Sequence, residues 1–156
     1  MKSKILIVSA NYYKDISKGL VAAAATTFTT VGIKFMKVEV AGVFEIPVVI
    51  AKNIKKYGGF VALGCVIKGE TPHFDFISKT TFDAIMKLSV DHKKPIGNGI
   101  ITALDKQQAY RRSSKEDLDK GILKSAIDGK LVKSNKGREA TRAVLSVLGI
   151  LKNESK

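Results

Sequence analysis

The segment Gly59-Phe60-Val61-Ala62-Leu63-Gly64-Cys65-Val66 runs through Ile67 into Lys68-Gly69-Glu70-Thr71-Pro72-His73-Phe74. Its first part is apolar almost throughout, which is typical of a strand in a parallel sheet that is covered on both faces. Its second part brings backbone amides, an ammonium group, a hydroxyl and an imidazole into one turn. Such a turn could bind an anion, and histidine is the side chain best suited to proton transfer near neutral pH. The segment therefore predicts a buried strand that ends in a functional site.

The alternation of apolar runs and amphipathic stretches extends over the whole chain. Apolar runs predict strands at 5–10, 35–40, 59–66 and 96–102. Helical periodicity predicts helices at 16–31, 47–57, 75–92, 105–112, 115–127 and 139–151. Short connections between alternating strands and helices imply parallel strands, right-handed crossovers and helices on both faces. We therefore predict an α/β fold, a flavodoxin-like three-layer α/β/α sandwich with a four-stranded parallel sheet.

Length and composition fit one globular domain. The chain has 156 residues, enough to bury a core, and we expect residues 1–156 to form a single domain. The N-terminal apolar run Ile5-Leu6-Ile7-Val8 is shorter than a signal-peptide core or a membrane span, so we expect a cytoplasmic protein. The single cysteine, Cys65, agrees with that compartment and is expected to be a small core residue.

The formal net charge of +13 is the unusual bulk property. Lysines are scattered over every segment, and no run interleaves them with aromatic residues as a nucleic-acid platform would. We therefore predict a solvated, lysine-rich surface that favours anionic substrates, with neither nucleic acid nor a membrane as a partner. Attraction to nucleic acid or to a membrane surface is the alternative interpretation of the charge.

Several functions of this fold lack their motifs. No G-x-G-x-x-G or Walker sequence is present, and no pair of histidines or cysteines has the spacing of metal ligands. Ser9-Ala10-Asn11 and Gly64-Cys65-Val66 stand where a response regulator needs acidic residues. Tyr12-Tyr13-Lys14 stands where a flavodoxin needs a phosphate loop. These classes are excluded.

Ligands of such folds bind beyond the carboxyl ends of the strands. Tyr12 and Tyr13 follow the first strand, and either could stack on a flat ligand or pack as a lid on the sheet edge. Glu45 follows the second strand at a helix entrance, where it could also interact with the helix dipole. Arg111 and Arg112 follow the fourth strand and, being adjacent on a helix, at most one faces a given ligand.

The two histidines differ in context. His73 lies at a helix start, as a candidate proton carrier or as a partly exposed cap residue. His92 lies at a lysine-rich helix end, and we expect it to be solvated near the negative end of the helix dipole.

Four segments carry a resemblance to a known family. Gly42-Val43-Phe44-Glu45-Ile46-Pro47 is similar to G-A-F-E-I-P, and residues 64–74 resemble G-x-V-I-R-G-x-T-x-H-[FY]. Residues 95–102 resemble P-[IV]-x-[FN]-G-[IL]-[ILV]-T, and residues 135–140 are similar to N-K-G-x-E-A. These are motifs of lumazine synthase, the 6,7-dimethyl-8-ribityllumazine synthase of riboflavin biosynthesis, and they occur in order across nearly the whole chain.

The resemblance implies a reaction. Members of that family condense 5-amino-6-(D-ribitylamino)uracil with L-3,4-dihydroxy-2-butanone 4-phosphate, releasing phosphate and water, with no metal or organic cofactor. The partners that it implies are these two small-molecule substrates and further copies of the same chain.

The resemblance also assigns roles to single residues. It implies that Tyr12 stacks on the pyrimidine, that Asn98 lines the heterocycle, that His73 is the general acid and base, and that Arg112 grips the phosphate. The other implied contacts are Val43, Phe44 and Glu45 to the ribityl chain, Cys65, Val66 and Ile67 to the pyrimidine, and Glu70 and Thr71 to the phosphorylated ketone.

Departures from the family bear on assembly. Tyr12 replaces the commoner phenylalanine or tryptophan, and Lys68 stands where arginine is usual. The link at 113–133 is longer than usual, and the chain begins close to its first strand. By resemblance we expect a homopentamer, or a decamer, rather than a shell of 60 subunits. Asn98 and Arg112 would then come from the subunit adjoining the one that gives Tyr12 and Glu45.

A non-catalytic relative that binds a lumazine or a flavin is the alternative function. Such a protein would use the same stacking pocket. The presence of His73, Arg112 and the turn at 69–71 argues against it, because a passive binder needs no phosphate grip.

Overall fold

The computed structural model of the protein describes residues 4–114 and 135–150. Strands and helices alternate through these residues, with a short 3-10 helix at Val43–Glu45 after the second strand. The strands and α-helices, in chain order, are β1 Ile5–Ala10, α1 Lys14–Thr30, β2 Phe35–Val40, α2 Ile46–Asn53, β3 Gly59–Ile67, α3 His73–His92, β4 Ile96–Ala103, α4 Lys106–Ser113 and α5 Lys136–Val147.

The four strands form one parallel sheet in the order β2-β1-β3-β4. Ile5 of β1 lies beside Phe35 of β2 and Gly59 of β3, and Phe60 of β3 lies beside Ile96 of β4. Helices cover both faces, so the predicted flavodoxin-like α/β/α sandwich with a four-stranded parallel sheet is confirmed.

Alternate residues of the strands supply two separate cores. On one face Ile7 and Leu63 pack with Leu20 of α1 and Leu145 of α5. On the other face strand side chains such as Val8 pack with residues of α2 and α3. Each fully buried Leu, Ile or Phe contributes about 1.5–3 kcal/mol through the apolar area removed from water. The all-buried pattern of β1 follows from this two-sided packing.

Two glycines allow α5 to lie close against β4. A Cβ atom on Gly97 would stand 2.3 Å from the carbonyl oxygen of Ala140, a distance that real Cβ atoms essentially never show. One on Gly99 would stand 3.2 Å from Ala140 Cβ and 3.0 Å from the carbonyl oxygen of Ala62, which is tighter than ordinary van der Waals contact. The glycines that weaken the local strand signal are therefore required by the packing.

Several helix boundaries differ from the predicted ones, in part because side chains from other segments form hydrogen bonds at the helix ends. The helix predicted at 47–57 is shorter, because Lys94 Nζ donates hydrogen bonds to the carbonyl oxygens of Ile54 and Tyr57 and so caps the end of α2. The helix predicted at 75–92 begins two residues earlier, at His73, after Pro72. The helix predicted at 115–127 lies outside the described residues.

The start of α5 depends on Asn135, which is fully buried. Its Oδ1 accepts hydrogen bonds from Gly137 N at 2.8 Å and Arg138 N at 3.3 Å, which caps the helix. Its Nδ2 donates to Gly19 O of α1 at 3.2 Å and to Ser114 O, just after α4, at 3.1 Å. The helix predicted at 139–151 therefore begins earlier, at Lys136, and one side chain connects three helices.

Replacing Asn135 by alanine should lower the free energy of unfolding by about 3 kcal/mol, the sum of a lost cap and of buried groups left without partners. Asn135→Asp should be destabilised at least as much, because its carboxylate would face two carbonyl oxygens. Urea unfolding followed by circular dichroism measures both.

Asn53→Ala is the matched control, because Asn53 makes one hydrogen bond, to Val49 O within α2. It should cost less than about 1 kcal/mol. An Asn135→Ala protein as stable as this control would show that the buried amide does not hold the three helices.

Candidate active site at the carboxyl edge of the sheet

Most of the predicted site residues lie just beyond the carboxyl ends of the strands. Tyr12 follows β1, the 3-10 helix at Val43–Glu45 follows β2, and the turn with Glu70 and Thr71 follows β3. The 3-10 helix packs against β1, β3 and α3, so these groups meet at one edge. The parallel topology is the cause, because all four strands end on the same side.

The two tyrosines after β1 differ in exposure, and each fits one of the two predicted alternatives, a lid on the sheet edge or a stacking surface. Tyr13 packs against the core on the α1 face, whereas the Tyr12 side chain is 75% exposed. Their rings meet edge to face, with centroids 4.9 Å apart. Tyr13 is thus the lid on the sheet edge, and it holds the Tyr12 ring out from the protein, where a flat ligand could stack on it.

Gly64 allows the 3-10 helix to dock on β3. A Cβ atom on Gly64 would lie 2.7 Å from Val43 Cγ1, so the buried Val43 side chain occupies the space above that glycine. Phe44 stays exposed beside it. The Glu45 carboxylate accepts a hydrogen bond from Gly42 N at 3.1 Å, so it closes its own turn while lying at the exposed edge.

The end of β3 is paired on one side only. β4 pairs with β3 as far as Ile67, but β1 pairs with it only as far as Leu63. The backbone of Cys65, Val66 and Ile67 therefore has a side that β1 does not use, and a ligand with hydrogen-bonding edges could approach it there. Val66 and Ile67 are half-buried on opposite faces.

Cys65 is buried, as predicted for a small core residue. Burial raises the pKa of its thiol to about 12. Because the thiolate is the reactive form, Cys65 is not a nucleophile at neutral pH, and its contribution to the edge is its backbone.

The turn after β3 leads into an uncapped helix. Glu70, Thr71 and His73 are exposed, and His73 is the first residue of α3. The preceding residue, Pro72, supplies no side-chain hydrogen bond to the first turn. The amides of Asp75 and Phe76 donate to Pro72 O at 3.1 and 3.3 Å, so the amides of His73 and Phe74 are the ones that could bind an anion. The dipole of this 20-residue helix favours negative charge there, and Asp75 already adds a carboxylate to the first turn. The imidazole thus lies beside a place suited to an oxyanion or a phosphate.

Asn98 and Arg112 line a second, separate cleft of about 350 Å³ along the outer edge of β4. The Asn98 Oδ1 atom accepts a hydrogen bond from Ile100 N at 3.1 Å, so its amide group is oriented by its own strand. Arg112 Nη1 donates to Gln108 O at 3.2 Å, one turn back on α4. Arg111 is exposed and does not line the cleft, so of the two adjacent arginines Arg112 alone borders it.

Lys136 lines the same cleft, and the sequence analysis gave it no role. Its Nζ lies 3.6 Å from Glu139 Oε2 at the start of α5. The signal that could have found it is its place in the N-K-G-x-E-A segment, directly after the capping Asn135. The cleft thus contains two cations, Arg112 and Lys136, and one carboxylate, Glu139, which pairs with Lys136.

Comparison with known proteins decides the family. The sequence model described as 6,7-dimethyl-8-ribityllumazine synthase matches residues 2–152. The chain belongs to the lumazine synthase family. A 6,7-dimethyl-8-ribityllumazine synthase of Nitrobacter hamburgensis is 35% identical over 99% of this chain and 89% of its own length. The same-named protein of Agrobacterium fabrum is 40% identical over 77% of this chain and 86% of its own.

As a lumazine synthase fold, the chain carries its predicted site in two parts. The first part follows β1, β2 and β3 and contains Tyr12, Val43, Phe44, Glu45, Cys65, Val66, Ile67, Glu70, Thr71 and His73. The second is the β4 cleft with Asn98 and Arg112, and no residue of the first part lines it. His92 lies at the far end of α3 from His73.

Within residues 4–114 and 135–150, no helix is long and apolar enough to cross a bilayer. In the same residues, no group of three or more His, Cys, Asp or Glu side chains is arranged to hold a metal ion.

Proposed function

We propose that this chain is a transferase that condenses 5-amino-6-(D-ribitylamino)uracil with L-3,4-dihydroxy-2-butanone 4-phosphate to give 6,7-dimethyl-8-ribityllumazine, phosphate and water. The observation that carries the proposal is the turn after β3, where an exposed imidazole opens an uncapped helix. We further propose that residues 1–156 act as one domain in the cytoplasm, with no metal or organic cofactor.

The first part of the site suits the uracil. The Tyr12 ring offers an exposed face for stacking, and the side of Cys65–Ile67 that β1 leaves open offers backbone groups to the edge of the pyrimidine. Glu45 and Phe44 lie at the neighbouring end of β2, where a polyhydroxyl chain would find a carboxylate and an apolar surface.

The chemistry needs protons moved in both directions. The amine attacks the ketone carbonyl, and a first water leaves to form an imine. Loss of a proton from carbon then eliminates phosphate, and the enol that remains becomes a ketone. The second amine closes the ring on that carbonyl, and a second water leaves. His73 is exposed at the helix start and can give a proton to a departing oxygen and take one from carbon or nitrogen. The open amides of α3 and of the Glu70–Thr71 turn would hold the negative oxygens of the ketone substrate.

The β4 cleft suits the phosphate group. Arg112 offers a planar fork of donors and Lys136 a second positive charge in the same cleft.

Since the amine is already a good nucleophile, we expect most of the acceleration to come from holding the two substrates in register.

We propose a homopentamer, alone or paired as a decamer, in which each site combines two subunits. The support is the division of the site, because the cations of the β4 cleft lie apart from Tyr12, Glu45 and His73 in one chain. Packing the β4 cleft of one subunit on the first part of its neighbour would complete the site.

Following the absorbance of the lumazine in the presence of both substrates tests the function, and absence of turnover by the purified chain would refute it. His73→Ala should slow turnover on the order of 10²-fold without abolishing it, because positioning remains when proton transfer is lost. His92→Ala, at the other end of α3, is the matched control and should retain the wild-type rate.

Arg112→Ala should raise the KM for the phosphorylated ketone about tenfold or more, with a smaller effect on the KM for the uracil, since a charge-assisted hydrogen bond to phosphate is lost. Arg111→Ala removes the same charge from the adjacent, exposed position and should change neither constant. Equal effects of the two substitutions would contradict a specific phosphate contact.

A mixing experiment tests the shared site. Subunits carrying His73→Ala and subunits carrying Arg112→Ala are refolded together in equal amounts and assayed at low ketone concentration. In a ring of heterologous contacts, about a quarter of the sites then receive both native residues, so activity should rise above that of either variant. Mixed assemblies with only the average of the two parent activities would place the whole site within one subunit.

A further inference from the structure

The fold collects lysines that are scattered in the sequence at the amino-terminal end of the sheet. Lysine directly precedes β1 and β2, and further lysines lie within the four residues before β3 and β4. We call this surface the basic face, and its residues are Lys4, Lys34, Lys55, Lys56, Lys93 and Lys94.

Hydrogen bonds hold these entry segments side by side. Ile5 N donates to Lys34 O at 3.0 Å, and Gly58 N donates to Lys4 O at 3.0 Å. Lys94 Nζ donates to Tyr57 O at 2.8 Å, which joins the entries of β3 and β4. Since neighbouring strands lie about 4.8 Å apart, the lysines form a row about 15 Å wide across the edge.

Many acidic residues lie at the opposite end of the sheet from the basic face. Many of the acidic side chains in the described residues lie around the carboxyl edge of the sheet, namely Asp15, Glu39, Glu45, Glu70, Asp75 and Asp105. In the described part of the basic face the nearest acidic residue along the chain is Asp91, which pairs with Lys87 at 2.8 Å. The positive charge of the face is therefore not balanced by carboxylates in that part of the chain.

Helix dipoles neutralise only part of this charge. The helices α1, α2, α3 and α5 end at this side of the sheet, and each end carries about half a negative elementary charge. Together they offset about two of the positive charges on the face. Lys94 is already committed to the end of α2, whereas the other five lysines are exposed.

The sequence predicted no nucleic-acid partner because its lysines are scattered; since the fold brings six of them to one edge of the sheet, we propose that the basic face binds the phosphate backbone of nucleic acid. It contains lysine and no arginine, so it offers point charges to phosphates and not the forks that read bases. This interaction goes beyond the proposed enzymatic function and uses the opposite end of the sheet.

The loops of the basic face favour nucleic acid over a membrane. Ile33 and Ile54, which lie among the lysines, are buried, and Tyr57 is half-buried. A membrane-binding surface would instead present apolar side chains that enter the bilayer. The exposed Val90 and Val147 line an apolar cleft together with Lys93 and Lys94 at the β4 end of the face, apart from the segments that carry Lys4, Lys34, Lys55 and Lys56.

Fluorescence anisotropy with labelled 20-base-pair RNA and DNA duplexes tests the proposal on the assembled, purified protein. Binding should be independent of sequence, with Kd on the order of 10⁻⁵ M near physiological salt and a slope of log K against log salt of about −4. Lys55→Glu combined with Lys56→Glu should weaken binding at least about tenfold and reduce the slope by about 2.

The matched control reverses two exposed lysines elsewhere, Lys18→Glu with Lys79→Glu, which gives the same net charge. The control should bind within about threefold of the wild type, and both double variants should keep wild-type lumazine formation. Equal weakening by both pairs would mean that total charge, not the basic face, attracts the duplex.

Vesicles containing anionic lipid form the third arm. Binding to these vesicles but not to the duplexes, or to neither, would overturn the proposal. Because lumazine formation is measured separately, a failure of duplex binding leaves the proposed enzyme standing, and a failure of turnover leaves the binding result standing.

Discussion

The buried Asn135 amide is the interaction on which the geometry of the β4 cleft depends. Its oxygen fixes the first turn of α5, and its nitrogen binds carbonyl oxygens of α1 and of the segment just after α4. Arg112 lies on α4 and Lys136 on α5, so the relative position of these two cations is set by one side chain. A buried group with all its hydrogen bonds made can specify such an arrangement because every displaced alternative leaves polar atoms without partners.

The parallel sheet constrains the rest of the site in a different way. Because all strands point the same way, the residues after each strand must meet at one edge. The extent of the backbone pairing between neighbouring strands then decides which backbone groups are left for a ligand. The ladder between β1 and β3 stops at Leu63 while the ladder between β3 and β4 continues to Ile67. That mismatch of a few residues leaves one side of the β3 backbone open to a ligand, next to the exposed Tyr12 ring.

The strands could be predicted closely because their signal is local. β1 is a buried, continuous apolar run and β2 is a partly exposed edge strand, and both have the predicted bounds. The ends of the helices could not be predicted as closely, because side chains that are distant in sequence bind there, such as Lys94 at α2 and Asn135 at α5. The edge of the sheet at which the site lies could be predicted from the order of strands and helices. The place of Lys136 in the site could not, because it depends on where α5 packs. The basic face could not be predicted from the sequence either, because its lysines are far apart along the chain and only the topology brings them together.

The length of the sheet separates the two charged ends of the molecule. The nine residues of β3 span about 30 Å, which is several times the Debye length of about 8 Å at physiological ionic strength. The basic face therefore cannot draw the phosphorylated ketone into the site by long-range attraction. The acidic residues near the carboxyl edge weaken such attraction further. The phosphate contact that we propose is accordingly local, through Arg112, Lys136 and the start of α3. The two proposed activities lie at opposite ends of the sheet, so we expect a change of charge at one end to leave the other unaffected.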